Sequence, residues 1–178
     1  TLGSSMSARI KRGESATAKD EQQALLALLS HSDGARGFYV TTLTDPEIDN
    51  VFHEPIDPAI VDAIIASPDP NAQLLTMNIA MSTATELAHI ANGDSDYAKG
   101  SALTRTRTGK LIAASIPTFA PLKKHLTDLL AATNTPQTSP PVAEAAVEAY
   151  RKFLNRWGYD AEMRQAIAAQ VRPLLEIS

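Results

Sequence analysis

The chain has 178 residues, enough for one domain or at most two small ones, and long enough to bury a core without a covalent staple. It has no cysteine, which excludes a disulfide scaffold, a thiolate metal site, an iron–sulfur cluster and a cysteine nucleophile, and no apolar run reaches bilayer-spanning length. The formal charge of −4 conceals a segregation: ten acids and no Lys or Arg lie between Gly37 and Ala98, then six basic residues and no acid between Lys99 and Thr127.

Residues 1–18 are small, polar and basic (Arg9, Lys11, Arg12) and read as an exposed arm, in part a cloning remnant ahead of a native start at Met6. No apolar core follows Arg12, so a secretory signal is not expected, and a cysteine-free chain is assigned to the cytoplasm by default, with an organelle stroma as the other option. Lys19 to Ser30 is rich in strong helix formers, with Asp20 and Glu21 in a favourable first turn, and Asp33-Gly34 reads as its stop. Residues 37–44 (GFYVTTLT) are β-rich in composition and form one candidate strand. An acidic loop follows to Pro58. Asp57-Pro58 is an N-cap with proline at the first helical position, and Ile60, Ile64 and Ile65 mark the buried side. Ser67-Pro68-Asp69-Pro70 ends that helix and opens the longest one, which Asn92-Gly93-Asp94 closes.

Residues 103–108 are ambiguous, since Thr104-Arg105-Thr106-Arg107-Thr108 alternates as a strand does while Leu111, Ile112 and Ile116 suit a helix. A helix is expected over 118–132 with Pro121 in its first turn, then a Pro-rich connection at 133–141. Val142 to Trp157 reads as an amphipathic helix. Val142, Ala146, Tyr150, Phe153 and Trp157 face inward, and Glu144, Glu148 and Lys152 lie outside. Gly158 closes it, and Asp160 caps a last helix with Met163, Ile167, Val171 and Leu174 buried. Two candidate strands are too few for an open sheet. The expected fold is therefore all-α: a single domain over 19–178, a bundle of six to eight helices around a buried central helix at 71–91, with at most one short strand pair and a C-terminal helical hairpin after 133–141.

The central helix carries two apolar faces, Leu74/Met77/Met81/Ala84/Ala88 and Ile79/Leu87/Ile90, as expected of a helix packed on two sides. Between them runs a polar stripe of Asn71, Asn78, Ser82, Thr85 and His89, with Glu86 beside it. These side chains carry no fixed charge and both donate and accept hydrogen bonds, so the stripe suits either a pocket wall or a buried polar network. If a reaction occurs here, His89 is the acid–base candidate, with Glu86 orienting it. Glu86-x-x-His89 has the spacing used by di-metal bundles, but His31, His53 and His125 have no Glu three residues before them, so no second copy exists and no metal is expected.

The basic block supplies Lys99, Arg105, Arg107, Lys110, Lys123 and Lys124. In an extended strand Arg105 and Arg107 point the same way and could hold one phosphate or carboxylate; in a helix they diverge by about 200°. Thr108-Gly109-Lys110 lacks the upstream glycine of a phosphate loop, where Thr104 stands instead. Nucleic acid is not an expected partner of an acidic chain whose basic block holds one aromatic, Phe119. The block is better explained by pairing with the acidic half across the fold. No nucleophile elbow, paired histidine motif or Gly-rich cofactor loop is present, so no cofactor is expected. The composite expectation is a non-catalytic domain that binds another protein, itself or a small anionic ligand, without membrane contact. The alternative is an enzyme acting on a small anionic substrate. The expected ligand contacts are Asn78, Ser82, Thr85, His89, Arg105 and Arg107.

Overall fold

The computed structural model describes residues 15–136 and 138–177, so the first 14 residues of the expected arm lie outside the described part. Eight α-helices follow one another: α1 (Ser15–Leu29), α2 (Ser32–Thr44), α3 (Pro58–Ala66), α4 (Pro68–Asn92), α5 (Ser95–Ser115), α6 (Ala120–Thr133), α7 (Ala145–Arg156) and α8 (Ala161–Leu175). Short 3₁₀ turns occupy Asn50–Phe52 and Ile116–Thr118, and the described residues contain no strand. The all-α, single-domain bundle is thus the observed architecture, and the strand pair is not.

Both segments with strand-like composition are helical. Residues 37–44 belong to α2 and 103–108 to α5. In α2 the buried residues are Ala35, Phe38, Tyr39, Thr42 and Leu43, and in α5 Arg107, Thr108, Leu111, Ile112 and Ser115, a period of three to four in each case. The hydroxyls that lower helix propensity are satisfied inside the helix. Thr42 Oγ1 donates to the Phe38 carbonyl at 2.7 Å, and Thr108 Oγ1 to that of Thr104 at 2.7 Å. Tertiary burial outweighs a per-residue preference of a few tenths of a kcal/mol.

The stop after α1 also differs from expectation. The helix ends at Leu29, and Asp33-Gly34 lies in the first turn of α2. Gly34 is there for a different reason: a Cβ on it would sit 2.2 Å from the Leu28 carbonyl oxygen, so the two helices meet at a corner that admits only hydrogen. Other boundaries follow the expected chemistry. The Asp57 carboxylate accepts from Ala59 N at 2.9 Å and the Asp160 carboxylate from Met163 N at 2.9 Å. Gly93 and Gly158 close α4 and α7 with φ of 78° and 67°. Pro173 lies within the last turn of α8, which ends two residues later at Leu175.

Helix α4 packs against α2, α3, α5, α6 and α8, and its contact with α5 is the most extensive helix pair in the molecule. It is buried from Asn71 to Ala84; its last two turns emerge, leaving Leu87 half-buried and Ile90 exposed, so the second apolar face is only partly covered. Asn71 is the joint at its start. It accepts from Tyr39 Oη at 2.9 Å and donates to the Leu29 and Ser67 carbonyls, tying α4 to α2, to the end of α1 and to the α3–α4 turn. Burial pushes the Tyr39 hydroxyl far above its ordinary value, so it stays a donor. The last two helices dock on the common core rather than chiefly on each other, α7 on α6 and α8 on both α4 and α6.

The wheel expected for α7 is rotated. Val147, Tyr150 and Leu154 are buried, together with Glu148 and Arg151, while Trp157 is exposed and Phe153 half-buried. Glu148 does not pair with Lys152 on an outer face. It receives both Arg151 Nε (2.7 Å) and Nη2 (2.8 Å), and the Val142 N–H of the connection folds back onto it at 3.1 Å. The Arg151 hydrogen bonds, then that of Val142, hold the Glu148 carboxyl down at about 2. Nearby, His125 Nδ1 meets Tyr150 Oη at 2.7 Å, and burial lowers the imidazole below its ordinary value.

Gly34→Ala should destabilise the fold by about 1–3 kcal/mol, because the backbone carbonyl it strikes cannot rotate away; a urea midpoint unchanged from the parent would disprove the tight corner. Acid should destabilise in two stages. A histidine whose folded value is depressed from 6.5 takes up its proton more readily when unfolded, so stability present above that value is lost as pH falls through it. The Glu148 contribution is present above 4.5 and is lost as pH falls toward about 2. Urea titrations across this range should show the upper stage removed in His125→Gln and the lower one in Glu148→Gln.

Candidate functional site

Because 103–108 is helical, the two arginines of the expected anion site diverge, and each has a separate structural partner. Arg105 pairs with Glu86, Nε to Oε2 at 2.6 Å and Nη2 to Oε1 at 3.3 Å, and its Nη1 reaches Gln170 on α8 at 3.3 Å. Arg107, only 3% exposed, donates from Nη1 to the carbonyls of Thr42 (3.0 Å) and Asp45 (2.7 Å) at the C-terminal end of α2. Its guanidinium also lies 4.8 Å from the centre of the Phe52 ring. Lys110 donates to the Phe52 carbonyl at 3.1 Å and stands 3.5 Å from Glu54. Lys99 pairs with Asp96 at 2.9 Å. Every cation of α5 is therefore engaged by the acidic half of the chain, as the charge segregation suggested. In the acidic loop Asp45 shapes a turn, its carboxylate accepting from Glu47 N at 2.9 Å, and the described residues contain no cluster of three metal-ligating side chains.

The polar stripe of α4 divides at its first member. Asn71 is consumed in the core. Asn78, Ser82, Thr85 and His89 face an open groove of about 390 Å³ between α4 and α5, completed by Thr44 of α2 and by Asp96, Tyr97, Gly100 and Thr104. Neither Arg105 nor Arg107 reaches it. Glu86 is turned to Arg105 rather than to His89, whose ring instead stacks on Tyr97 with centroids 5.4 Å apart.

Four of the hydroxyls on its walls donate into their own helices: Ser82 to Asn78 O at 2.6 Å, Thr85 to Met81 O at 2.8 Å, Thr44 to Val40 O at 2.7 Å and Thr104 to Gly100 O at 3.0 Å. A hydroxyl has one hydrogen and two lone pairs, so each of these is left able only to accept. Asn78, His89, Tyr97 and Ser101 add donors to the same walls, and the Asp96 carboxylate at the rim is held by Lys99 at 2.9 Å, so the groove is polar and can both donate and accept. The sequence named the α4 residues but not Thr44, Tyr97 or Thr104, because only the packing of α2 and α5 brings them alongside.

Two other grooves flank α4 and α5. The larger, about 1030 Å³, lies between the 54–62 segment and α5; its lining is mostly apolar and its one cation, Lys110, is already held. The second, about 650 Å³, continues the polar groove toward the start of α4, sharing Asn78 and Met81 with it. Leu74, Met77 and Phe153 line it, with Arg36, Lys152 and Arg156 around the edge and Trp157 at its far end. The sequence placed Phe153 and Trp157 in the core, and the rotation of α7 is what puts them here.

The buried and the half-exposed arginine should separate cleanly in stability. Arg107→Met orphans two carbonyls near the end of α2 and should cost about 2–3 kcal/mol, whereas Arg105→Met, at a partly solvated pair, should cost below about 1 kcal/mol; equal urea midpoints for the two variants would contradict this division.

Among the described residues no helix is long and apolar enough to cross a membrane. Comparison with curated proteins and with solved structures finds no match. A family profile does match, over residues 2–174 and hence nearly the whole chain, and the protein belongs to the family described as Uncharacterised conserved protein UCP020893.

Proposed function

We propose that this protein is a non-catalytic binding domain that receives its ligand along the exposed side of α4, in the cytoplasm. The observation that carries the reading is the state of the groove hydroxyls. Those of Thr44, Ser82, Thr85 and Thr104 have given their hydrogen to a helix carbonyl, so they offer lone pairs to a ligand and are not poised as nucleophiles against a base. The pairing that would make His89 an acid–base group is also missing, since Glu86 is bound to Arg105. The enzyme alternative is correspondingly less well supported. A small anionic ligand fits this groove poorly, because neither Arg105 nor Arg107 reaches it and Lys99 beside it is held by Asp96. The four helix-bonded hydroxyls favour a ligand that carries hydrogen-bond donors, with Asn78 able to donate or accept and the Tyr97 and His89 rings as an apolar face to cover it.

The test is an amide chemical-shift titration with methylguanidinium and n-butylamine against butyrate as the anionic control. The two donors should shift amides between 78 and 104 and butyrate should not. Gly100→Leu should abolish the response while keeping the fold, because a Cβ at Gly100 meets nothing within 4 Å and leucine favours the helix by about 0.8 kcal/mol over glycine. Shifts by butyrate alone, or donor shifts that survive Gly100→Leu, would overturn the reading.

A further inference from the structure

Among the described residues three arginines are buried: Arg107, Arg151 and Arg164. The first stands 3.7 Å from the Asp49 carboxylate, and the second holds that of Glu148 at 2.7 Å. Arg164, only 5% exposed, pairs with no acid among the described residues. Its partners are neutral. Nε donates to the Tyr159 carbonyl at 2.8 Å, Nη2 to the Asn155 side-chain oxygen at 2.6 Å and Nη1 to the Thr135 carbonyl at 3.4 Å. These bonds use three of the five N–H groups of a guanidinium, so they fix its position and leave its charge uncompensated. Burial, and then the charge of Arg151, push the group below its ordinary value, the direction expected of a cation without a carboxylate.

Arg164 also lines an open cleft of about 400 Å³ between α8 and residues 133–136 at the end of α6. Arg172, exposed and likewise in no ion pair among the described residues, lines it too, and no acid does. Arg164, Ala168 and Arg172 follow one another every four residues and so form one row along α8. The two arginines are about 12 Å apart along the axis at 1.5 Å per residue, and Ala168 between them leaves the space open. Asn134 and Gln165 add side-chain amides, which both donate and accept. The Thr133 and Thr135 hydroxyls have given their hydrogens to the Leu130 (2.7 Å) and Ala131 (3.1 Å) carbonyls and can only accept. With Thr135 N on the Ala132 carbonyl at 3.2 Å, these three carbonyls in the last turn of α6 are already bonded.

We infer that this cleft binds the phosphoryl group of a small molecule, with Arg164 as its buried cation and Arg172 at its rim. The site is separate from the polar groove on α4 and does not rest on the reading proposed for that groove. A phosphate monoester carries a charge of about −1.5 to −2 at neutral pH, which matches two guanidinium groups; a carboxylate compensates one of them. Its three terminal oxygens accept from both arginines and from the Asn134 and Gln165 amides together. The Thr133 and Thr135 oxygens take hydroxyl hydrogens, either of a singly protonated phosphate or of the rest of the ligand. Nucleic acid is the poorer occupant, because no aromatic side chain lines the cleft for a base to stack on.

The probe is inorganic phosphate, followed through amide chemical shifts at constant ionic strength, with acetate and chloride as controls. Phosphate should shift the amides of 133–136 and 161–172 saturably, with a dissociation constant of about 1–10 mM. Acetate should bind at least fivefold more weakly, and chloride should leave these amides unmoved. Arg172→Glu should weaken phosphate binding at least tenfold; the position is exposed, and circular dichroism verifies the helix content. Arg172→Lys, which keeps the charge and loses the planar fork, should fall between the two. The inference is overturned if phosphate gives no saturable shift, if its shifts survive Arg172→Glu, or if acetate or chloride binds as tightly. Because the groove on α4 is read from the amides of 78–104, the failure of either site leaves the other standing.

Discussion

The burial of the Arg107 guanidinium at the end of α2 is the constraint on which the rest of the structure depends. A buried cation is tolerated only when acceptors face it, and here the Thr42 and Asp45 carbonyls at the negative end of a helix both take Nη1, Asp49 stands 3.7 Å from Nη2, and the buried Nε has no hydrogen-bond partner. The same contact sets α5 beside α2 and holds down the acid-rich segment after it, with Lys110 repeating the device one turn later at the Phe52 carbonyl. That placement of α5 turns Thr104, Gly100 and Tyr97 toward α4 and so creates the groove. It also engages the cations of α5 within the fold, whereas Arg36, Lys152 and Arg156 around the second groove form no ion pair among the described residues.

Helix α4 has two different halves. Its first half is core, with Asn71 bonded to three other segments and Leu75, Ile79 and Ala80 buried. Along one side of that core helix, from Leu74 to His89, the packing stops short and the side chains look out into a trough. A helix whose polar stripe is neither fully buried nor fully solvated is what a binding floor needs: the buried side fixes its position and the open side presents groups without having to reorganise.

Much of the architecture is legible along the chain because it rests on local chemistry. The Asp57-Pro58 and Asp160 caps, the left-handed glycines 93 and 158 and the proline-rich connection act within a few residues, and each stands where its composition indicates. The candidate site is legible only in part. Asn78, Ser82, Thr85 and His89 do share a face because they are one helix apart in phase, yet Asn71, on the same stripe, belongs to the core, and nothing in the spacing separates it from the others. The threonines and arginines of 104–108 show the opposite case. Their alternation suggested a strand, while the burial of Arg107, Thr108, Leu111 and Ile112 obeys the helical period that continues beyond the ambiguous stretch.

By itself the sequence determined that the chain is helical and where most helices begin and end, since caps and turns are properties of neighbouring residues. The tertiary structure decided which face of each helix is the inside one. It rotated α7 so that a Glu148–Arg151 pair is buried and Trp157 is exposed, sent Arg105 and Arg107 to separate partners, and aligned Thr44, Tyr97 and Thr104 with the α4 stripe. Those choices depend on where a carbonyl, a connection or another helix happens to offer a partner to a buried polar group, and such partners lie many residues away along the chain.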